Sequence, residues 1–359
     1  MFDQATIKNI KRETADSVVV SIDLPEDIKQ DYSYKQGQNI TFIREFEGEE
    51  LRRSYSICNS IDDAEIRVGI KRVDGGRFST WANTEMKVGD RISVLPPSGE
   101  FHTELNVKQS LSYVGVAAGS GITPILSILK TILETEPLSH FSLIYGNKST
   151  ESIMFLEDIK NLKNKYKERF QIFNILSQET QNSELLNGRI DKDKINRFLE
   201  RLIPSEYIDH VFLCGPYQMI VAAKDAFVEA GVSADHIHTE LFGTPDELQL
   251  AVKKQQQLLT EEEASHLSQI TLVIDGKGTK IKLARGGESI LDAALKVRKD
   301  LPFACKGGVC ATCKAKVTKG QVVMDINYSL SEEEEKSGYT LTCQSHPISD
   351  HVVIDFDQK

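Results

Sequence analysis

The sequence predicts a multidomain chain: an antiparallel β-barrel, then an α/β domain on a parallel sheet, then a smaller α+β domain. Three observations carry this. The first hundred residues hold short apolar or alternating runs split by turn residues, the pattern of small antiparallel barrels. After about residue 107, strand-length apolar runs alternate with helical periodicity, the pattern of a parallel sheet covered by helices. Four of the six cysteines fall in the last sixth of the chain, so its end differs in chemistry from the rest.

In the first segment (1–106) the runs are Ser17 to Ile22, Asn39 to Ile43, Glu65 to Ile70 and Arg91 to Leu95, broken at Gly37-Gln38, Gly75-Gly76 and Pro96-Pro97-Ser98-Gly99. In the second (107–243), Ser112 to Ala117 reads as a buried strand ending in AGSGITP. Ile122, Ile125, Leu126, Leu129, Ile132 and Leu133 then recur at helical spacing, with Pro124 where a first turn tolerates it. FSLIYG, FQIFNIL and VFLCG read as further strands, with helices expected from about Ile153 to Tyr166 and from Pro216 to Ala230. Residues 244–269 are polar and glutamine-rich and read as a linker, and strand-like sequence resumes at Ile270 for the last segment (270–359).

Composition sets the outer limits. At roughly 150 residues per domain, 359 residues make two to three domains. With 40% hydrophobic and 27% charged residues the chain can build real cores. No run reaches the roughly 18 apolar residues of a membrane span. The N-terminus, MFDQATIKNIKRE, lacks an apolar signal segment, so a cytoplasmic location is expected. A net charge of −10 excludes general nucleic-acid binding, which needs a basic face.

Cys305, Cys310 and Cys313 are spaced C-x4-C-x2-C, with Cys343 far downstream. In a reducing compartment such clusters are metal ligands before disulfides. The spacing is that of a plant-type [2Fe–2S] site: one loop wraps three thiolates, and Gly307 and Gly308 let backbone amides approach the sulfurs. Tyr339 to Cys343 (YTLTC) reads as a strand delivering the fourth. Structural zinc, which prefers paired C-x2–4-C knuckles, is the alternative. The Glu332 to Glu335 run reads as the first turn of a short helix capped by Ser331.

With SILDAALK before the loop and LTCQ after it, residues 270–359 resemble a plant-type ferredoxin domain, which implies a β-grasp fold. Upstream, Arg52-Arg53-Ser54-Tyr55-Ser56 followed by Gly75-Gly76-Arg77-Phe78-Ser79 resembles the flavin domain of the ferredoxin–NADP⁺ reductase superfamily. The resemblance implies that Arg53 pairs with the flavin diphosphate, Tyr55 packs on the ring and Ser56 hydrogen-bonds near its N5. Gly76, Arg77, Phe78 and Ser79 would present amides at a helix start, a sound anion site. Lys71 and Arg72 lie between the motifs and are expected to add charge or main-chain contacts to the flavin. The bound flavin is expected to be FAD, with FMN the alternative. AAGSGITP departs from the dehydrogenase fingerprint by placing Pro124 where a third glycine would stand, and it matches the superfamily's G-x-G-x-x-P turn, with Gly119, Gly121, Thr123 and Pro124 at NAD(P). Cys214-Gly215-Pro216 resembles the superfamily's C-G-P motif beside the nicotinamide, and Glu240-Leu241-Phe242 its segment returning to the flavin. Ser56, Cys214 and Glu240 are thereby the expected catalytic residues, and Cys58 a core residue. Asn147, Lys148, Ser149 and Thr150 offer a cation and hydroxyls to a 2′-phosphate, which favours NADPH.

The three modules together resemble the reductases of multicomponent oxygenases, and YGNKST through LLNGRID most closely the branch serving phenylacetyl-CoA epoxidases; reductases of steroid hydroxylases or desaturases are the runner-up. The implied path runs from NADPH through flavin and [2Fe–2S] to an oxygenase component. A zinc-bearing redox sensor and a reductase of free flavin are the readings from other classes.

Overall fold

A computed structural model describes residues 2–242 and 266–358. The chain divides into two compact units, one of Phe2–Pro97 with Phe101–Phe242, the other containing the C-terminal sheet.

The first unit begins with six antiparallel strands: β1 (Asp3–Thr14), β2 (Ser17–Asp23), β3 (Asn39–Phe46), β4 (Glu49–Ser56), β5 (Ile66–Lys71) and β6 (Arg91–Ser98), ordered β4-β3-β6-β1-β2-β5. The two edges meet at an antiparallel bridge between Ile57 and Val68, which closes the sheet into a barrel. Helix α1 (Arg77–Thr84) packs Phe78 and Trp81 into the barrel core with Ile7, Val20, Ile40 and Phe42.

The second half of this unit is a parallel sheet of β7 (Ser112–Ala118), β8 (His140–Asn147), β9 (Phe170–Leu176), β10 (His210–Gly215) and β11 (Ile237–Leu241), ordered β11-β10-β7-β8-β9. The direction of winding reverses between β7 and β10, so their C-terminal ends flank the crevice where such sheets bind ligands. Four helices connect the strands: α2 (Ile122–Thr135), α3 (Leu156–Lys165), α4 (Lys192–Arg201) and α5 (Tyr217–Glu229). Helix α3 starts three residues later than expected because Phe155 takes a left-handed backbone (φ 59°) before it. The expected order omits α4 and β11. Asp191 caps α4, accepting from the Lys194 amide at 2.9 Å, and Ile195, Phe198 and Leu199 make its buried stripe.

In the second unit, β12 (Leu267–Ile274) and β13 (Lys277–Ala284) form a hairpin, and α6 (Ile290–Leu295) follows, capped by Ser289. Strands β14 (Lys314–Lys319), β16 (Tyr339–Leu341) and β18 (His351–Asp355) complete a sheet ordered β13-β12-β18-β14-β16. This is a grasp of mixed strands around one helix. β15 (Val322–Met324) and β17 (Ser345–Pro347) form a separate ribbon. Ser331 and Glu334 close a capping box on the short helix α7 (Glu332–Lys336), as the acidic run suggests. The expected linker is cut short: Leu267 to Gln269 already pair with Ala284 to Lys282, and residues 243–265 lie outside the described residues. Among the described residues no helix is long and apolar enough to cross a membrane.

Gly37 (φ 87°) ties the barrel to the segment entering the parallel sheet, and a Cβ there would stand 2.0 Å from the Phe101 carbonyl oxygen. Gly37→Ala is expected to cost about 2 kcal/mol or more, read as a melting temperature lower by roughly 5 °C or more in a calorimetric scan.

Candidate functional site

The nucleotide turn is built by close packing of strand ends. After β7 the chain turns through Gly119 (φ 54°) and Gly121 into α2. A Cβ on Gly121 would lie 2.1 Å from the Cys214 carbonyl oxygen, and one on Gly215 would meet Met219 and Ala118 at 2.6 and 3.2 Å. The glycines thus let the ends of β7 and β10 touch, with Pro216 leading into α5. Thr123 and Pro124 are buried in the first turn of α2, and the Thr123 hydroxyl donates to the Ser120 carbonyl at 3.0 Å. No side chain caps this helix, so its first-turn amides keep their affinity for an anion.

Cys214 pairs in register with Ala117 on one side and Glu240 on the other. Its side chain is fully buried, and burial first, then the Glu240 charge, holds the thiol well above its ordinary range. Glu240 reaches across to the barrel, where the Ser56 hydroxyl donates to its carboxylate at 3.1 Å. Gly121, Cys214, Glu240 and Ser56 therefore form one contiguous set from the nucleotide turn to the barrel. Phe242, just beyond β11, is exposed.

On β4 the two arginines part. Arg52 is buried, bonded to Glu50 at 2.8 Å and stacked on Phe2, whereas Arg53 stays exposed. Tyr55 packs against Phe42 and Phe78, with ring centroids at 5.9 and 5.8 Å. Gly75 (φ 72°) turns the chain into α1, whose N-cap Gly76 offers no side chain to its amides. The Ser79 hydroxyl folds back instead, accepting from the Val73 amide at 3.1 Å and closing the turn. Beside the turn runs a groove of about 510 Å³ whose lining includes Arg44, Phe46, Gly75, Gly76, Arg77 and Trp81. Arg44 stacks on Trp81 at 3.9 Å, and its buried Nε has no hydrogen-bond partner. The Arg44 guanidinium, the aromatic faces and the uncapped helix start suit the phosphates and adenine of FAD, whereas Arg77 is paired with Glu49 and Glu47. The flavin pattern in the sequence singled out Arg77 but not Arg44, Phe46 or Trp81. Lys71, expected near the flavin, faces Asp16 of the β1–β2 turn at 3.6 Å, a partner set by strand pairing.

At the end of β8, Asn147 has a buried side-chain nitrogen without a partner, and Lys148 is exposed. The amide and carbonyl of Ser149 both bond to the Ser152 hydroxyl. Glu179, after β9, takes both donors of Thr150, the amide at 2.7 Å and the hydroxyl at 2.8 Å. Of the groups expected to meet a 2′-phosphate, Thr150 is thus already engaged by an acid.

In the second unit, Lys306 (φ 54°), Gly308 (φ 72°) and Ala311 (φ 52°) wind the cysteine loop through left-handed backbone. A Cβ on Gly308 would lie 2.9 Å from the Ile326 carbonyl oxygen. The four thiols face each other as two pairs, Cys305 with Cys310 and Cys313 with Cys343. The Cys310 hydrogen bond, with help from the Gly307 and Val309 amides, draws Cys305 down to about 7. The Cys313 bond and the Gly308 amide draw Cys343 down likewise. Cys343 sits just past β16 rather than within it. Among the described residues no three His, Cys, Asp or Glu side chains converge on a single ion. Two thiol pairs under converging amides fit the ligand set of a [2Fe–2S] cluster.

A histidine group also lay outside the sequence reading. His210 and His238 approach to 3.2 Å and the His236 ring packs at a tilt against His210, at the N-terminal end of β10 and β11, opposite the site. Burial, then the neighbouring imidazoles, pushes His238 down to about 4, so it stays neutral at physiological pH.

Comparison with known proteins accounts for all three parts. Residues 4–103 match the oxidoreductase FAD-binding domain, 116–225 the oxidoreductase NAD-binding domain, and 272–347 the 2Fe-2S iron-sulfur cluster binding domain. The chain is 42% identical to a subunit of the 1,2-phenylacetyl-CoA epoxidase of Escherichia coli K12, covering 100% of this chain and 98% of that protein. It is 29% identical to the ferredoxin reductase component of 3-ketosteroid-9-alpha-monooxygenase of Rhodococcus rhodochrous, over 98% and 96%. The crystal structure of phthalate dioxygenase reductase shares the fold, with a TM-score of 0.58 at 21% identity over 99% and 98% of the two chains.

Burial pushes Cys58 up to about 12 and holds Cys214 well above its ordinary range, so both are neutral thiols at pH 8 and neither is expected to react with iodoacetamide in the native protein. Mass spectrometry of the alkylated chain checks this. By linkage, the stability that these neutral thiols retain below pH 9 should fall as the pH rises from 9 toward 12.

Proposed function

The chain belongs to the family of oxygenase reductases that join FAD-binding, NAD-binding and [2Fe–2S] domains, and from that premise we propose that it is the NADPH-dependent reductase component of a phenylacetyl-CoA epoxidase. The observation that carries the electron path is the contiguous set Gly121, Cys214, Glu240 and Ser56, which joins the nucleotide turn to the flavin strand. When bound, the nicotinamide supplies a hydride, the flavin divides the electron pair, and the cluster carries single electrons. The nearly full-length similarity to a phenylacetyl-CoA epoxidase component supports the choice of partner.

Each residue has a role in this reading. Arg53 and the uncapped start of α1 at Gly76 and Arg77 hold the flavin diphosphate, and Arg44 and Trp81 border its adenylate half. Tyr55 packs against the flavin ring, its own position fixed by Phe42 and Phe78. Ser56 offers its hydroxyl at the reacting edge, and Glu240 orients that hydroxyl. Gly119 and Gly121 admit the pyrophosphate to the start of α2, and Cys214, Gly215 and Pro216 wall the nicotinamide. Cys305, Cys310, Cys313 and Cys343 would hold the [2Fe–2S] cluster. The cytoplasm suits this chemistry, since it keeps such thiols reduced for cluster assembly. The electron acceptor is the oxygenase component.

The preference for NADPH rests on Lys148, because Glu179 engages Thr150. Lys148→Ala is expected to lower kcat/KM for NADPH about tenfold, equivalent to about 1.4 kcal/mol, and to leave NADH within about twofold. Glu179→Gln should move the NADPH to NADH ratio the other way, by roughly threefold. Equal effects on both coenzymes would contradict the assignment. Cys310→Ser is expected to abolish reduction of cytochrome c and of the epoxidase oxygenase component while NADPH-driven dye reduction continues. Retention of all three activities would make this a reductase of free flavin.

A further inference from the structure

β5 of the barrel contains one position where the nucleotide domain leaves no room for a side chain. Gly69 has an extended backbone that any residue could adopt, and a lone glycine inside a strand weakens it. Its need lies outside the strand. A Cβ at Gly69 would meet Thr123 Cγ2 at 2.8 Å, Met154 Cε at 3.1 Å and Phe155 Cζ at 3.1 Å.

Two of these neighbours are held in place. Thr123 is 2% exposed, β-branched, and bonded through its hydroxyl to the Ser120 carbonyl, so its methyl has no alternative rotamer at low cost. Phe155 sits in left-handed backbone, and its amide donates at 2.8 Å to Glu13 of β1. The Glu13 side chain is itself 7% exposed and lies 3.1 Å from Lys11. The barrel therefore grips the nucleotide domain from two strands, through contact at Gly69 and a hydrogen bond at Glu13. Thr123 belongs to the same first turn of α2 as Gly121, so anything that displaces Thr123 displaces the turn.

We infer that Gly69 is a positioning residue for coenzyme oxidation: its missing Cβ sets how closely the 119–124 turn approaches the flavin barrel, and the Glu13–Phe155 bond maintains that approach. The inference rests on the 119–124 turn being the nucleotide site. Ordinary van der Waals contact begins at 3.4 Å, so a methyl at Gly69 must open the junction by about half an ångström. Transfer between reacting atoms about 3–3.5 Å apart is sensitive to that, a misplacement of 1 Å costing up to about a hundredfold.

The test compares FAD- and cluster-loaded wild type, Gly69→Ala, Thr123→Ser and Gly69→Ala/Thr123→Ser by anaerobic stopped-flow reduction with NADPH and by calorimetric titration with NADP⁺. Gly69→Ala is expected to keep its flavin content and spectrum, to bind NADP⁺ within about twofold of wild type, and to lose about tenfold or more in limiting reduction rate. Removing the Thr123 methyl in the double variant should restore the rate to within about threefold of the Thr123→Ser single variant, a coupling that only direct contact produces. A wild-type limiting rate in Gly69→Ala, a loss of affinity equal to the loss of rate, or no recovery in the double variant would each overturn the inference. If wild type itself neither binds NADP⁺ nor is reduced by NADPH, the coenzyme reading fails instead. Should Gly69→Ala not retain FAD, Glu13→Ala decides: faster hydrogen exchange at the Phe155 amide with a limiting rate about threefold lower supports the inference, and faster exchange with an unchanged rate overturns it.

Discussion

Everything in the first unit depends on how tightly the strand ends meet at the crevice between β7 and β10. Gly121 rests its Cα against the Cys214 carbonyl with no space for a methyl group, and that contact fixes the turn, the start of α2 and the register with Glu240. Steric exclusion does this better than a hydrogen bond would. Packed interiors cannot deform continuously, so a junction without spare volume has one geometry. Ser127 of α2 extends the same docking, its hydroxyl donating to the Asn59 carbonyl of the barrel at 2.8 Å.

On this rigid frame the site's electrostatics consist largely of charges left unspent. Neither α1 nor α2 has a side-chain cap, although Asp191 and Ser289 show that the chain supplies caps elsewhere. Two helix starts are left with amides for phosphate. The cysteine loop applies the same principle to sulfur: left-handed turns at Lys306, Gly308 and Ala311 bring amides toward the thiols. Hydrogen bonds of this kind stabilise the charged form of a buried sulfur and tune a cluster that carries net negative charge.

What the sequence disclosed was local. Motifs confined to a turn and its flanks were legible because glycine, proline and cysteine spacing reflects backbone requirements within a few residues: the G-x-G-x-x-P turn, the C-x4-C-x2-C loop and the Ser331 cap. Contacts between distant segments were not. Ser56 and Glu240 are 184 positions apart, and only the closed barrel and the parallel sheet bring them together. Glu179 affects the coenzyme end through Thr150, 29 residues earlier. Arg44 and Trp81 meet across the barrel edge. The partner of Lys71, Asp16, is likewise set by strand pairing. Helix α4 escaped notice although Asp191 and the Ile195, Phe198, Leu199 stripe carried its signal; it supports the sheet and bears none of the chemistry.

With FAD-binding, NAD-binding and [2Fe–2S] domains in one chain, electrons are expected to pass from the coenzyme through the flavin to the cluster. The most direct measurement is an anaerobic titration of the purified protein with NADPH, followed by visible absorption and low-temperature EPR, with metal analysis on the same sample. The account predicts two irons per chain, uptake of about three electron equivalents, bleaching of both the flavin bands and the broad iron–sulfur absorption, and the EPR signal of a reduced [2Fe–2S] cluster. Zinc in place of iron, or a flavin that bleaches while the cluster stays oxidised, would contradict it.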